Sequence, residues 1–221
     1  IALQSPAMGR AKHRVTVLAL HGLVVFAAAS LVLGSAHPAI LALAVVHTGI
    51  DGVKTWARLT GPGAVLADQA LHAATIVAVA WFFPGLWATG LWGGLPVWPA
   101  LAALLAGLLL CVLGGSHAVG LFMARWSADA PSGLRNGGRA IGQLERGLIF
   151  LFVLTGQTQA IGLLSAAKSV LRFGAVKDDL KVSENVIIGT LSSFAWAIVT
   201  AIFTVFLLER LAPLHIPLLT P

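Results

Sequence analysis

Charged residues are scarce in this chain of 221 residues, and cysteine is almost absent. Lysine, arginine, aspartate and glutamate make up 10% of the sequence, whereas roughly a quarter is usual for a soluble domain. Apolar residues make up 58%, so charge cannot cover the surface, which excludes a soluble globular protein and a disordered chain. The single cysteine, Cys111, excludes a disulfide scaffold and a cysteine-based metal site.

Long apolar runs recur along the whole chain and predict membrane-spanning helices. A span needs about 20 mostly apolar residues, and the runs are separated by glycine, proline and charged residues. We predict an all-α, polytopic transmembrane helix bundle of about 6–7 membrane segments, folded as a single integral-membrane domain over residues 1–221. The runs are Val15–Gly34, Ala39–Trp56, Val65–Phe83, Val97–Met123, Ile141–Thr155, Ala160–Phe173 and Val186–Leu208.

Basic residues predict which side of the membrane each connection occupies. If the connections alternate, thirteen of the 14 lysines and arginines fall on one side, and only Arg210 lies on the other. Cytoplasmic loops are enriched in lysine and arginine, so this side, including the loop at residues 125–139, is predicted to be cytoplasmic. Anionic lipid headgroups then account for the net charge of +6, and no nucleic-acid partner is expected. The sequence is compatible with a homo-oligomer or with a larger membrane complex.

The second and third predicted helices carry mirrored motifs, His-x3-Asp before a Gly-Pro-Gly turn and Asp-x3-His after it. A spacing of four residues puts both side chains of a motif on one helix face. Antiparallel helices joined by a short turn place mirrored positions at equal depth, so the side chains are expected to converge in the cytoplasmic half of the membrane. They are His47, Asp51, Asp68 and His72, and His21 on the first predicted helix lies at the same level.

These five side chains predict a divalent metal site. Imidazole and carboxylate groups bind zinc, manganese or iron(II), and a bound cation would offset the cost of burying carboxylates. A cation with an open coordination position supports hydrolysis, so one hypothesis is a metal-dependent hydrolase acting on a lipid-borne substrate. The predicted ligands are His21, His47, Asp51, Asp68 and His72. The catalytic candidates are Gln69, Lys54 and Lys12, and either lysine would orient an anionic group of the substrate.

Other interpretations stay open, including whether the protein is an enzyme at all. Transporters use histidine and aspartate as proton or ion relays, although no inverted repeat or paired broken helices are evident here. A non-catalytic membrane subunit would use the same residues as an ion-paired hairpin, with Asp51 facing Lys54 and Asp68 facing Arg58. Haem binding is disfavoured because the neighbouring carboxylates suit a harder cation. Against the hydrolase stands the lack of an evident nucleophile or base.

The hairpin motif resembles the signature of the bacterial membrane family catalogued as domain of unknown function 3307. The resemblance covers most of the chain except the fourth span and implies a multispan protein of the bacterial inner membrane. The family has no established activity, so the resemblance implies fold and topology more than function. The residues that carry it are His47-Thr-Gly-Ile-Asp51-Gly-Val-Lys54, Asp68-Gln69-Ala-Leu-His72, an opening pattern of Gln4, Lys12 and His21, and the stretches Gly142–Gly147, Gly156-Gln157, Ala166–Phe173 and Asn185–Phe194.

The opening of the sequence predicts that the natural chain is longer. In the family, a short helix bearing histidine and aspartate comes before the pattern that begins at Gln4. Residues 1–4 contain no initiator methionine and do not start a signal peptide. We therefore expect the sequence to begin partway into a longer protein, so that further site residues would precede it.

Cysteine-accessibility labelling in intact cells tests the predicted orientation. In a Cys111→Ala background, Ser132→Cys is expected to resist an impermeant thiol reagent until the membrane is permeabilised, because its loop is predicted to face the cytoplasm. Thr89→Cys lies in a connection that is predicted to face outward, and it is the control that should react at once. Labelling of position 132 from outside would reverse the orientation and move the polar cluster to the opposite face of the membrane.

Overall fold

The computed structural model describes residues 15–58, 61–129, 136–176 and 180–211, and these residues form helices and turns with no strand. The all-α prediction is therefore confirmed for this part of the chain. The α-helices are α1 Val15–Leu33, α2 Pro38–Trp56, α3 Pro62–Phe82, α4 Trp98–Leu109, α5 Gly115–Met123, α6 Gly137–Leu154, α7 Gln159–Val176 and α8 Leu180–Leu208. A π-helical turn, Leu110–Gly114, joins α4 to α5 without a break in helical backbone angles.

Within the described residues, four helical segments are long and apolar enough to cross a membrane, which is fewer than the sequence predicted. The three other predicted segments do form helices, namely α2, α6 and α7. They carry charged residues along their length, which makes them less apolar than the other four. The four candidate spans are Val15–Leu33, Gly63–Phe82, Trp98–Trp126 and Lys181–Leu208.

The helices fall into two compact units, one ending at Pro96 and the other beginning at Val97. In the first unit, α2 packs against both α1 and α3. In the second unit, α8 packs against α4, α5 and α6, and α7 lies beside α6. The buried core of the second unit consists of Cys111, Ile149, Phe150, Phe194, Ala197 and Ala201. The prediction of a single domain over residues 1–221 stays a prediction.

Proline, glycine and histidine determine where the helices of the first unit begin. Pro38 starts α2, since its fixed φ suits the first helical turn, and His37 Nδ1 accepts a hydrogen bond from the Ala39 N–H at 3.1 Å. Gly61 has a φ of 96°, a backbone angle that favours glycine. Pro62 follows as the first residue of α3, earlier than the predicted start of that span. The α2–α3 connection is therefore short, and it keeps the mirrored motifs at the same end of the unit.

Gly107, which has no side chain, allows α4 and α8 to pack closely in the second unit. A Cβ atom at Gly107 would collide with the side chain of Thr204, which is 2% exposed. Small residues are common where membrane helices meet, because lipid provides little hydrophobic drive and close van der Waals packing holds the helices together. Gly107 is therefore a packing position of the second unit.

Gly107→Ala is expected to lower the free energy of unfolding by about 1–3 kcal/mol, since α4 and α8 must separate to admit a methyl group. Gly120→Ala is the matched control, because no atom lies within 4 Å of a Cβ built at Gly120 on α5. Alanine favours a helix over glycine by about 1 kcal/mol, so the control should be neutral or more stable. Thermal unfolding in detergent compares the two variants. Equal melting temperatures would contradict the close packing at Gly107.

Candidate metal centre

Three helices of the first unit bring five ionisable side chains together near the α2–α3 connection. Because α2 lies between α1 and α3, its residues occupy the middle of the cluster. The potential ligand atoms form two groups of three, and within each group they lie within 4.8 Å of one another. Asp51 belongs to both groups. The first triad is His21, His47 and Asp51, and the second triad is Asp51, Asp68 and His72.

The first triad has the dimensions of a metal site. His21 Nε2 lies 3.2 Å from His47 Nε2 and 3.1 Å from Asp51 Oδ2, and His47 Nε2 lies 3.9 Å from that oxygen. A point equidistant from these three atoms is about 2 Å from each, the length of a bond from zinc to nitrogen or oxygen. His21 and Asp51 are buried, whereas the His47 side chain is 24% exposed. One cation fits among the three atoms, and the His47 side of the triad is accessible.

The second triad contains a histidine whose ring orientation suits a metal ligand. His72 Nδ1 lies 2.7 Å from the backbone oxygen of Asp68, and since a carbonyl only accepts, Nδ1 is the donor of this hydrogen bond. Histidine ligands of metals commonly donate from one ring nitrogen to a carbonyl and ligate through the other, which here is Nε2. His72 Nε2 lies 3.8 Å from Asp51 Oδ1. The ring therefore directs its ligating nitrogen toward the shared carboxylate.

Asp68 supplies a buried oxygen that has no hydrogen-bond partner among the described residues. This atom is Oδ1, and it lies 3.9 Å from His72 Nδ1, beyond hydrogen-bond distance. The Asp68 side chain is 7% exposed. A buried carboxylate oxygen that has lost its water and gained no partner is costly. A cation at this position would remove that cost.

Lys54 and Gln69 hold the other oxygen of Asp68. Lys54 Nζ lies 2.7 Å from Asp68 Oδ2, and Gln69 Nε2 donates to the same oxygen at 3.0 Å. The ion-paired alternative placed Lys54 against Asp51, and the structure pairs it with Asp68 on α3 instead, across the short connection. Both catalytic candidates thus contact and orient a potential ligand. Lys12, the third candidate, lies outside the described residues.

A second polar cluster, which the sequence analysis did not predict as a site, lies in the second unit around Arg146. Arg146 is 3% exposed. Its guanidinium donates to hydroxyl and carbonyl oxygens, and the carbonyl belongs to the π-helical turn between α4 and α5. These contacts hold both terminal nitrogens of the guanidinium and join the helices of the unit, whereas Arg146 Nε is buried without a hydrogen-bond partner among the described residues. The partners are Ser193 Oγ at 2.9 Å, Ser116 Oγ at 2.6 Å and Val112 O at 3.1 Å, and beside them Lys168 Nζ lies 2.6 Å from Glu145 Oε2.

No family model, curated protein or solved structure matches this chain. The resemblance to the family of domain of unknown function 3307 therefore stays a prediction. The candidate centre rests on its own geometry, which brings His21, His47, Asp51, Asp68 and His72 together, as the mirrored motifs predict. Their role as ligands stays a prediction as well.

Lys54→Met is expected to lower the free energy of unfolding by about 1–3 kcal/mol, because it leaves the buried Asp68 carboxylate without its nearest positive charge. Arg58→Met is the matched control, since it removes an exposed cation at the same end of the hairpin. Thermal unfolding of the chelator-treated protein in detergent measures both changes. If the two variants melt at the same temperature, the Lys54–Asp68 pair contributes nothing to stability.

Proposed function

We propose that this chain is a bacterial inner-membrane metalloprotein whose His/Asp centre binds a divalent cation and hydrolyses a lipid-borne substrate. The observation that carries the proposal is the first triad, where the His21, His47 and Asp51 ligand atoms surround a point about 2 Å from each. Two imidazoles and one carboxylate are a frequent ligand set for catalytic zinc. Zinc, manganese and iron(II) are all compatible with these donors.

The burial of two carboxylates supports a resident cation. Asp51 and Asp68 are both buried, and ionised groups inside a membrane protein require compensation. Lys54 supplies one positive charge, which lies against Asp68 Oδ2. A divalent cation between Asp51 and Asp68 would offset the negative charge of both carboxylates. This is the physical reason to prefer a metal centre over a purely ion-paired hairpin.

The ligand count supports hydrolysis as the chemistry. Three protein ligands leave a coordination position open, and a cation with such a position activates water at neutral pH. Hydrolysis adds that water across an ester: the water oxygen bonds to the acyl carbon or phosphorus, the bond from that atom to the leaving oxygen breaks, and the leaving oxygen takes a proton from the water. The Lys54 and His47 side chains are 31% and 24% exposed. A substrate headgroup therefore has a route to the centre from that side.

Topology is part of the same proposal. We propose that α2, α6 and α7 cross the membrane together with the four apolar segments, so that the centre lies in the cytoplasmic half of the bilayer. Asp51 and Asp68 lie within two helical turns of the α2–α3 connection, which supports a position near one surface. Membrane lipids are then both the surroundings of the protein and the source of its substrate.

A proton or ion relay is the second candidate function. The observation that favours it is the continuous series of titratable groups from α1 to α3, in which His21, Asp51 and His72 follow one another at 3.1 and 3.8 Å. Such a series can pass a proton between helices without a metal. Metal content separates the two functions, because a relay needs none.

Purified wild-type protein is expected to contain a divalent metal by elemental analysis, and Asp51→Asn and His72→Ala should each lower its content. Zinc added to the chelator-treated wild type should raise its melting temperature. At a free zinc concentration one hundred times the dissociation constant, binding adds about 2.7 kcal/mol to the free energy of unfolding. Neither variant should gain as much. His117→Ala, a histidine of α5 in the other unit, is the control and should behave like the wild type.

A wild-type protein that neither contains nor gains metal would overturn the metal centre and leave the relay and the ion-paired hairpin. The hydrolase has a separate test. Metal-loaded protein in lipid vesicles should release a soluble headgroup or acyl product, and Asp51→Asn should abolish that release. Metal binding without turnover of phospholipid or acyl substrates would retain the centre and defeat the hydrolase.

A further inference from the structure

The two oxygens of Asp51 face different sets of ligands. Oδ2 lies 3.1 Å from His21 Nε2 and 3.9 Å from His47 Nε2. Oδ1 lies 3.8 Å from His72 Nε2. From this division we infer that the centre is dinuclear, with the Asp51 carboxylate bridging two cations. The inference rests on the proposed metal centre and adds how many ions it holds and which residues bind each.

A single cation cannot satisfy all five residues. Two ligand atoms of one ion lie at most about 4 Å apart when the bonds are about 2 Å long. An ion in the first triad uses Asp51 Oδ2 and both histidines of that triad. It leaves Asp68 Oδ1, which is buried and has no hydrogen-bond partner among the described residues, without compensation. That oxygen and His72 Nε2 then remain as ligands for a second ion.

The second triad fits a second ion of similar size. One potential ligand atom from each of its residues lies within 4.8 Å of the other two, so side-chain rotations that move these atoms by less than an ångström would bring them within about 4 Å. Lys54 and Gln69 hold Asp68 Oδ2, which leaves Oδ1 as the carboxylate oxygen available to a second ion. A carboxylate that bridges through both oxygens suits the separation of about 3.5–4 Å found in two-metal sites.

The two positions differ in chemical character. The first triad offers two ring nitrogens and one carboxylate oxygen, a set that suits zinc or iron. The second offers one ring nitrogen and two carboxylate oxygens, a harder set that also suits manganese. Asp51 is common to both, so its loss should affect both ions, whereas His21 and Asp68 each belong to one.

Zinc stoichiometry tests the inference. Chelator-treated protein in detergent is equilibrated with excess zinc, freed of unbound metal and analysed for zinc per chain. The wild type and His117→Ala are expected to hold two ions, His21→Ala and Asp68→Asn one each, and Asp51→Asn less than one. A wild type with one zinc, lost in both His21→Ala and Asp68→Asn, would overturn the dinuclear centre and leave the proposed metal centre intact. A wild type with none would overturn both.

Electron paramagnetic resonance of the wild type avoids the need for folded variants. Wild-type protein loaded with two equivalents of manganese(II) should give the spectrum of an exchange-coupled pair, because bridged ions lie about 3.5–4 Å apart. The spectrum of isolated manganese(II) ions, at either one or two per chain, would overturn the shared bridge. In the coupled case, Asp68→Asn should convert the spectrum to that of an isolated ion.

Discussion

The arrangement of the first unit depends on keeping a carboxylate charged inside a bundle of apolar helices. Asp51 is 8% exposed, and the desolvation of an ion at such a site costs several kcal/mol unless opposite charge or hydrogen bonds offset it. Imidazoles from the two helices beside α2 lie against this carboxylate, His21 from α1 and His72 from α3. A divalent cation bound among these imidazoles would offset that cost further.

Each unit contains a buried charged side chain that hydrogen bonds satisfy only in part. In the second unit, the Arg146 guanidinium donates to two hydroxyls and a backbone carbonyl, whereas its Nε is buried without a hydrogen-bond partner among the described residues. In the first unit, Asp68 Oδ2 accepts from Lys54 and Gln69, whereas Asp68 Oδ1 is buried without such a partner. Most buried polar groups in proteins are hydrogen-bonded, and an exception calls for an explanation. At Asp68 a bound cation would supply one, because ligand atoms of Asp51 and His72 lie within 4.8 Å.

Apolar runs located every helix but underestimated how far several of them extend. α8 begins at Leu180, ahead of the predicted start at Val186, and α6 begins at Gly137, ahead of the predicted start at Ile141. A hydropathy pattern records where a helix meets lipid, and the backbone continues to hydrogen-bond beyond that point. The hydropathy pattern did not predict the π-helical turn at Leu110–Gly114 either, because all of its residues are apolar or glycine.

The sequence by itself determined the all-helical class, the order of the helices and the set of polar residues near the α2–α3 connection. Those features follow from local chemistry: apolar length, Pro62 and Gly61 at the turn, and a spacing of four residues that puts His47 and Asp51 on one helix face. Only the tertiary structure decided which atoms meet. Helical periodicity specifies a face and a depth, but the rotation and tilt of α1 and α3 against α2 depend on packing along their whole length. That packing pairs Lys54 with Asp68, and it places Asp51 Oδ2 beside His21 and His47 and Asp51 Oδ1 beside His72.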